Sequence, residues 1–575
     1  MTRRMVCCSA LVLQFFTVLL TTGSAIAQAQ SRPAGQSQPY LIFSTYLGGT
    51  TPCDGCDDSR TFAQNAASDS QGNTYVTGAT RASNLPVKNA FQPEPAPDSE
   101  MTAFVAKYDP SGQLLWLTYL GGNKQNMGIG VAVLPNDAGV AVSGVTSARG
   151  RNPFPTKNAF QENFSGGASD YFVAVFDAGG GLLYSTYLGG SGDDGNGFSD
   201  DNSSGNDLAA DAHGLIYLAG TTAVPPNLLQ TFPVTANAVQ PVLSGATDAF
   251  LCILNPAKAG ADSRVYCSFL GGAGEEKGHS VAVSAAGDLI TVAGYTNSRD
   301  FPTTKNAYRN HPAPKGFTSN GYLAQFHSSK PGDPLSEYAA RYVTYLGADS
   351  SEARDDVYGM SMTPAGIIVA TGRTQSPDFP MTGPDKPSIY NNAPYLKPRT
   401  SGDQPYLVKL DPSLDGKASL VYATYLGGGD KDGQWGSFCT SLGVDAQGAA
   451  FVAGETNAPG AEYVSLPLPL TAPMKFPYTS NALIKVHQQE DDVEFLQISP
   501  QGAWFGYSTY LGGDGTDRAY GLAVDRAGNV VVTGVTSSDD FPLQNPAQPW
   551  PGVAGQENAF VSKFAFSGSM ENGRR

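Results

Sequence analysis

Short apolar runs, each stopped by a glycine or a polar turn, recur along the whole chain, and no apolar stripe repeats at helical spacing. Residues 521–564 show the pattern most plainly. Gly521-Leu522-Ala523-Val524-Asp525 predicts a first strand, Arg526-Ala527-Gly528 a turn, 529–535 (NVVVTGV) a second strand and 559–564 (AFVSKF) a third. A fourth strand ends in the phrase Tyr-Leu-Gly-Gly. The first two strands are apolar with little alternation, the pattern of strands covered on both faces.

The same unit is written seven times. Its fourth strand reads STYLGG at 44–49, 185–190 and 508–513, LTYLGG at 117–122, CSFLGG at 267–272, VTYLGA at 343–348 and ATYLGG at 423–428. Its second strand carries a small residue, glycine, a variable residue and threonine, as in Thr77-Gly78-Ala79-Thr80, Ala293-Gly294-Tyr295-Thr296 and Thr533-Gly534-Val535-Thr536. Glycine inside a strand marks a bulge or a close backbone approach, and modules converging on a crowded axis would provide one. Evenly recurring supersecondary units mean radial or linear repetition. The chain opens on a lone fourth strand (40–47) and closes after a lone third one (559–564), so the termini together complete one unit. The expected fold is therefore all-β: a seven-bladed β-propeller of four-stranded antiparallel blades, the last closed by the N-terminal strand. It occupies 40–566 as a single domain, with a tail at 567–575. Units run 68 to 85 residues between successive Leu-Gly-Gly positions. The surplus falls in the links from fourth strand to next first strand and from second to third strand, the latter holding Phe154-Pro155, Phe301-Pro302 and Phe541-Pro542. Both links leave on one face of the disc, which becomes loop-rich.

The first residues predict a signal peptide over 1–27, with Arg3 and Arg4 as the basic region, 10–20 as the apolar region and Ala25-Ile26-Ala27 as the cleavage site, followed by a flexible segment, 28–39. The expected location is secreted, periplasmic or cell-surface, with no membrane span once the signal is removed and a monomeric state. The chain carries a net charge of −16, and loss of the two arginines takes it to −18, which disfavours nucleic acid as a partner.

Export bears on the cysteines. Cys53 and Cys56 sit in Cys-Asp-Gly-Cys, where a local disulfide is the expectation, and Cys252 and Cys267 fall on adjacent strands, where a bridge depends on register. Cys439 is left over. Acidic residues gather in the inter-blade loops: Asp193 and Asp194, Asp430 and Asp432, Asp514 and Asp517. They suit calcium, which takes six to eight oxygens, and equally suit turn capping; no EF-hand loop is completed, and calcium is the one cofactor the sequence suggests. The five histidines form no ligand pair, and no nucleophile elbow, P-loop or zinc signature is present, so no catalytic residue is singled out. The recurring tyrosines read as packing residues. A binding platform should instead use aromatics peculiar to one copy: Trp435, Tyr463 and Trp550.

These motifs resemble the bacterial SBBP family of exported proteins, named for a seven-bladed beta-propeller repeat. The likeness rests on 185–194 (STYLGGSGDD), 521–535 with 538–542, 248–251 and 154–161 (FPTKNAFQ). It implies a secreted or surface propeller and brings no catalytic set with it. The function expected is a non-enzymatic exported propeller whose loop-rich face binds a polysaccharide or protein partner. The alternatives are a carbohydrate-active hydrolase or lyase using loop carboxylates, or a purely structural surface module.

Overall fold

A computed structural model describes residues 38–566 except 196, 199–205, 225–230, 314–317, 334–337, 349–353, 377–378, 381–403, 427–437, 463–475, 489 and 503. The described chain is all-β apart from three single-turn 3₁₀ segments. Five separate four-stranded sheets and one eight-stranded sheet account for nearly every strand. The eight-stranded sheet is two four-stranded sets. Thr61–Ser68, Thr74–Thr80, Ser99–Tyr108 and Leu114–Leu120 form one, Lys124–Val133, Gly139–Thr146, Asp170–Asp177 and Leu182–Leu188 the other, joined by a short parallel contact at Ser99↔Lys124 and Met101↔Gln125. Within every set consecutive strands pair antiparallel, so links 1→2 and 3→4 emerge on one face and links 2→3 and 4→1 on the other. A minor parallel pair, Gly460–Glu462 with Phe476–Tyr478, lies in a second-to-third link.

The first strands of the sets pack against one another in succession, and Asp517–Val524 packs in turn on Thr61–Ser68. The first strand of the chain, Tyr40–Leu47, pairs antiparallel with the last, Asn558–Ala565, from Tyr40↔Ala565 to Leu47↔Ala559. Cores form between and within the sheets; Phe43, Leu47, Phe104, Tyr119, Val531 and Val561 share one cluster that draws on both ends of the chain.

The glycine of the second-strand motif has a local cause. Opposite it, the first strand is bulged: the register breaks between Ala63 and Asn65, Gly278 and Ser280, Val357 and Gly359, Ala519 and Gly521. The bulge pushes a carbonyl (Phe62 O, Lys277 O, Asp356 O, Arg518 O) into the space that a Cβ on Gly78, Gly294, Gly372 or Gly534 would occupy. At these four positions the close approach comes from the glycine's own sheet; at Gly220 it comes from a neighbouring one, where a Cβ would overlap the Tyr171 hydroxyl.

The other repeated letters also have assigned work. Tyr187 is buried, as packing requires, and its hydroxyl also donates to Ala148 O (2.8 Å) and accepts from Phe154 N (2.8 Å). It thereby latches the fourth strand to the end of the second and to the Phe-Pro link of the same sheet. Tyr119 and Tyr345 repeat the latch on Ala82 O with Leu85 N and on Ser298 O with Phe301 N. Tyr46, on the N-terminal strand, makes it with Ser538 O and Phe541 N near the other terminus. The opposite face carries tight hairpins whose aspartates cap their own turns: Asp525 Oδ1 accepts from Ala527 N (2.9 Å) and Asn529 N (2.8 Å). Lys563, fully buried, pairs with Asp525 at 3.0 Å and donates to Gly72 O of the neighbouring sheet at 2.7 Å.

Candidate functional site

The acidic loop residues separate by burial. Asp193 and Asp514 are exposed, whereas Asp194 and Asp517 are buried. Asp194 Oδ2 accepts from Gly190 N at 2.6 Å, four residues back. Asp517 Oδ2 accepts from Gly513 N (2.8 Å) and Ser538 Oγ (2.7 Å). Glu276 takes the same place, accepting from Gly272 N (2.8 Å) and Thr296 Oγ1 (2.5 Å), and Asp355 accepts from Ala348 N and Thr374 Oγ1. In the second set Asn126 stands there, its Oδ1 taking Gly122 N and Thr146 Oγ1. The acid is therefore an internal clasp that ties the Leu-Gly-Gly turn to the threonine of the second-strand motif.

A second carboxyl faces the clasp from the start of the third strand: Asp170 opposite Asp194, Asp248 opposite Glu276, Asp492 opposite Asp517. The first glycine of Leu-Gly-Gly passes between the two. A Cβ on Gly189 would lie 2.5 Å from Asp170 Oδ1 and 2.8 Å from Asp194 Oδ2. Burial first, and the facing acid in addition, pushes Asp170 up to about 8 and Asp517 to about 7; Asp194 and Asp492 also reach about 7, burial again leading. Asp170 Oδ1, Asp194 Oδ1 and Asp517 Oδ1 are buried without a hydrogen-bond partner, the condition in which the protonated acid is favoured. With no exposure to solvent, Asp170 and Asp194 cannot reach a substrate as an acid–base pair. Among the described residues no three His, Cys, Asp or Glu side chains are arranged to hold a metal ion. Asp430 and Asp432 lie outside the described residues.

Gly512 allows a direct test of this junction. A Cβ there would overlap Asp492 Oδ1 and sit 2.6 Å from Asp517 Oδ2. Gly512→Ala is expected to destabilise the protein by about 2–4 kcal/mol through overpacking against buried polar atoms. Gly555→Ala, which has nothing within 4 Å but a φ of +68°, should cost less; comparable urea midpoints for the two variants would refute the tight junction.

Two cysteine pairs are bonded in the structure: Cys53–Cys56, and Cys252–Cys267, whose residues face each other across Thr247–Leu254 and Arg264–Leu270. Cys439 is free and buried. His279, which the sequence left without a role, is buried, its Nδ1 2.9 Å from Val357 O of the next sheet, and stacks on Tyr358.

Of the copy-specific aromatics, Trp435 and Tyr463 lie outside the described residues. Trp550 is 75% exposed and stands beside a groove of about 320 Å³. Pro549 and Pro551 flank it; Gly48, Thr50, Asn84 and Gln548, from links of the loop-rich side, line the groove together with Tyr108 and Leu114, which end a third strand and begin a fourth. The backbone at Trp550 is held in place: Gln548 donates from Nε2 to Trp550 O (2.9 Å) and accepts Gly48 N on Oε1 (3.2 Å). Proline on both sides removes backbone freedom as well. A flat, exposed indole on a restrained backbone beside a shallow groove, with Thr50 and Asn84 among the lining residues, offers apolar contact and polar groups to one ligand.

Nearer the first strands, a second group was missed by the sequence reading. Arg354 Nε and Arg373 Nε both donate to Asp356 Oδ2, at 2.6 and 3.2 Å, and Asp356 is fully buried. Arg354 lies over Tyr295 and Arg373 over Tyr358. Lys277 is cross-strand from Tyr295, and burial lowers its ammonium. The signal was present in the variable position of the second-strand motif, which is Ala79, Val145 and Val535 in other copies but Tyr295, Arg373 and Glu455 here.

Antiparallel four-stranded sets whose first strands pack side by side define a β-propeller. Its repeat is of a known kind: residues 506–542 match the family model SBBP, described as a beta-propeller repeat. No curated protein matches the chain. Among solved structures it is similar to puromycin hydrolase at 12% identity, over 84% of this chain and 50% of that one, with a TM-score of 0.36; the chain thus spans about half of that protein's length. It is similar at 8% identity to the beta-propeller domain of the Trilobed protease from Pyrococcus furiosus, over 83% and 89% of the two chains, TM-score 0.36. It is similar at 10% to PorZ, a bacterial surface component of the type-IX secretion system of Porphyromonas gingivalis, over 86% and 46%, TM-score 0.33. Among the described residues no helix is long and apolar enough to cross a membrane.

Proposed function

We propose that this chain is an exported seven-bladed propeller, closed by its N-terminal strand, that binds a polysaccharide on its loop-rich face at the Trp550 groove. Export is read from the basic, apolar and small-residue segments of 1–27. Closure is supported by the pairing of Tyr40–Leu47 with Asn558–Ala565 and by Tyr46 repeating the latch that Tyr119 and Tyr187 make internally. The observation that carries the binding reading is Trp550, a large aromatic ring left in solvent beside a groove, on a link of the loop-rich face.

A sugar ring presents an apolar face to stack on indole and hydroxyls at its rim for Thr50 and Asn84. A protein partner would need a broader apolar surface, for which one groove of this size offers only a foothold. The buried carboxyl junctions supply structure to this reading and no chemistry. Affinity electrophoresis through gels containing a soluble β-glucan or polygalacturonate tests it. Trp550→Ala is expected to weaken retardation at least about tenfold while leaving the melting temperature within about 1 °C, because the ring buries little in the fold. Equal retardation of wild type and variant, or none of the wild type, would overturn the reading.

A further inference from the structure

We infer, resting on the binding reading above, that Thr50 and Asn84 make the Trp550 groove selective for a uronic-acid residue, whose carboxylate they bind as neutral donors. The backbone frame under Trp550 is common to several units. Gln92 Nε2 donates to Glu94 O (3.1 Å), Gln161 Nε2 to Asn163 O (3.1 Å) and Gln240 Nε2 to Val242 O (3.2 Å). Gly121 N, Gly189 N and Gly271 N bond the matching Oε1 atoms at 3.1, 3.2 and 2.9 Å. The frame is constant, and only the side chain it presents changes, so Trp550 is peculiar to its unit. Asn84 is peculiar as well. The residue at its place, before Phe-Pro, is Asp300, Asp378 or Asp540 in three other units and Pro153, Thr231 or Lys475 in the rest. Two residues that each break the repeat once therefore meet at one groove.

Asn84 Oδ1 accepts from Thr50 N and Thr51 N, both at 2.9 Å. Backbone N–H groups only donate, so these two bonds fix which end of the amide is oxygen. Nδ2 gives one proton to Thr50 Oγ1 at 2.9 Å. The Thr50 hydroxyl proton and the second Nδ2 proton go to no acceptor among the described residues, and both side chains are exposed and line the groove. No Asp or Glu is among the described lining residues, on a chain whose net charge is −16. Two free donors with no acid beside them suit a group that only accepts, and a carboxylate is the strongest such group on a sugar. An aspartate at this place would still hold the Thr50 amide, as Asp300 Oδ1 holds Ala273 N (2.9 Å) and Asp540 Oδ1 holds Asp514 N (2.8 Å). It would also draw the Thr50 hydroxyl proton to itself and set a negative charge against an anionic ligand. The amide thus keeps the loop as it is in other units and changes only what can dock on it. A uronic-acid ring stacked on the indole brings its carboxylate to this pair.

Retardation of the protein in gels of polygalacturonate, of a neutral β-glucan and of poly-glutamate separates the outcomes. Wild type should bind polygalacturonate at least about tenfold more tightly than the neutral polymer. The preference should persist at high salt, because no cation carries it and screening weakens the repulsion between two acidic partners. Asn84→Asp should bring the ratio of the two affinities down to about one, with the melting temperature within about 1 °C of wild type, since the repeat already accepts aspartate there. Thr50→Val, which removes the hydroxyl donor, should lower the ratio in the same direction. Trp550→Ala should weaken both polymers alike, so the groove and its selectivity fail separately. Equal binding of the two polymers by wild type, or a preference that survives Asn84→Asp, would overturn the inference and leave the Trp550 reading standing. Poly-glutamate bound as tightly as polygalacturonate would assign the pair to an acidic protein and overturn its assignment to a sugar.

Discussion

A protein lacking residues 38–49 should lose its cooperative thermal transition or melt at least about 10 °C lower than the intact chain. The N-terminal strand pairs along the edge of Asn558–Ala565 and carries the tyrosine latch of a fourth strand. It puts Phe43, Tyr46 and Leu47 into the core at 0–1% exposure. Burial of three such side chains is worth about 5–8 kcal/mol before any hydrogen bond is counted. The hydrogen bonds removed with it are Ser44 Oγ to Ser562 Oγ (2.8 Å), Ser44 N to Gln544 O (2.7 Å), the Tyr46 latch and Gly48 N to Gln548 Oε1. Deletion also leaves Asn558–Ala565 as an open edge, an invitation to association. A synthetic peptide of residues 38–49 added in trans should restore part of the transition. Differential scanning calorimetry reads both effects. A truncated protein that melts with the intact one would show that the two ends of the chain do not depend on each other.

Stability should fall as pH rises from about 5 to about 8.5. Eight buried acids carry the effect. Asp170 is pushed up to about 8, Asp194, Asp207, Asp492 and Asp517 to about 7 and Asp355 to about 6, while Asp248 and Glu276 are raised as well; burial is the first cause in each. A carboxyl whose folded pKa lies above its unfolded value binds more protons folded than unfolded between the two. It therefore adds stability that is complete below about 4 and lost as pH climbs through 6 to 8. His279, lowered to about 4 by burial, acts in the opposite sense between 6.5 and 4, and His487, also lowered by burial, acts with it; the raised acids outnumber them. The expected loss of melting temperature between pH 5 and pH 8.5 is on the order of 5 °C or more.

The protein itself supplies the control. Where the second set has Asn126 in place of the clasp acid, the amide makes the same two acceptor bonds, so a neutral group fits the position. Asp517→Asn should accordingly flatten the pH dependence and gain on the wild type above pH 8. A melting temperature that rises from pH 5 to pH 8.5 would mean that these acids are ionised in the fold and held by something other than their hydrogen bonds.

Much of the frame was legible in the sequence because repetition exposes it. Seven copies of one phrase separate the letters each unit needs from those it does not, and strand order follows from apolar runs between turns. The reasons behind the letters were not legible, because they depend on register. That Gly534 faces a bulged carbonyl of its own sheet requires knowing that Ala519 and Gly521 straddle an extra residue. That Asp194 is buried while Asp193 is exposed requires knowing which side of a loop-to-strand junction each occupies. Both were read as equivalent loop acids. Trp550 could be picked out because it breaks the repeat, whereas Lys277, Arg354 and Arg373 come from two sheets and meet only across a seam.

Hydrogen–deuterium exchange of the protein with and without polygalacturonate tests the central claim most directly, that the loop-rich face is the binding face. Slowed exchange is expected in 48–51 and 547–552 beside Trp550, with the hairpins at 69–73 and 525–529 unchanged. Protection confined to those hairpins, or absent everywhere while the polymer demonstrably binds, would contradict it.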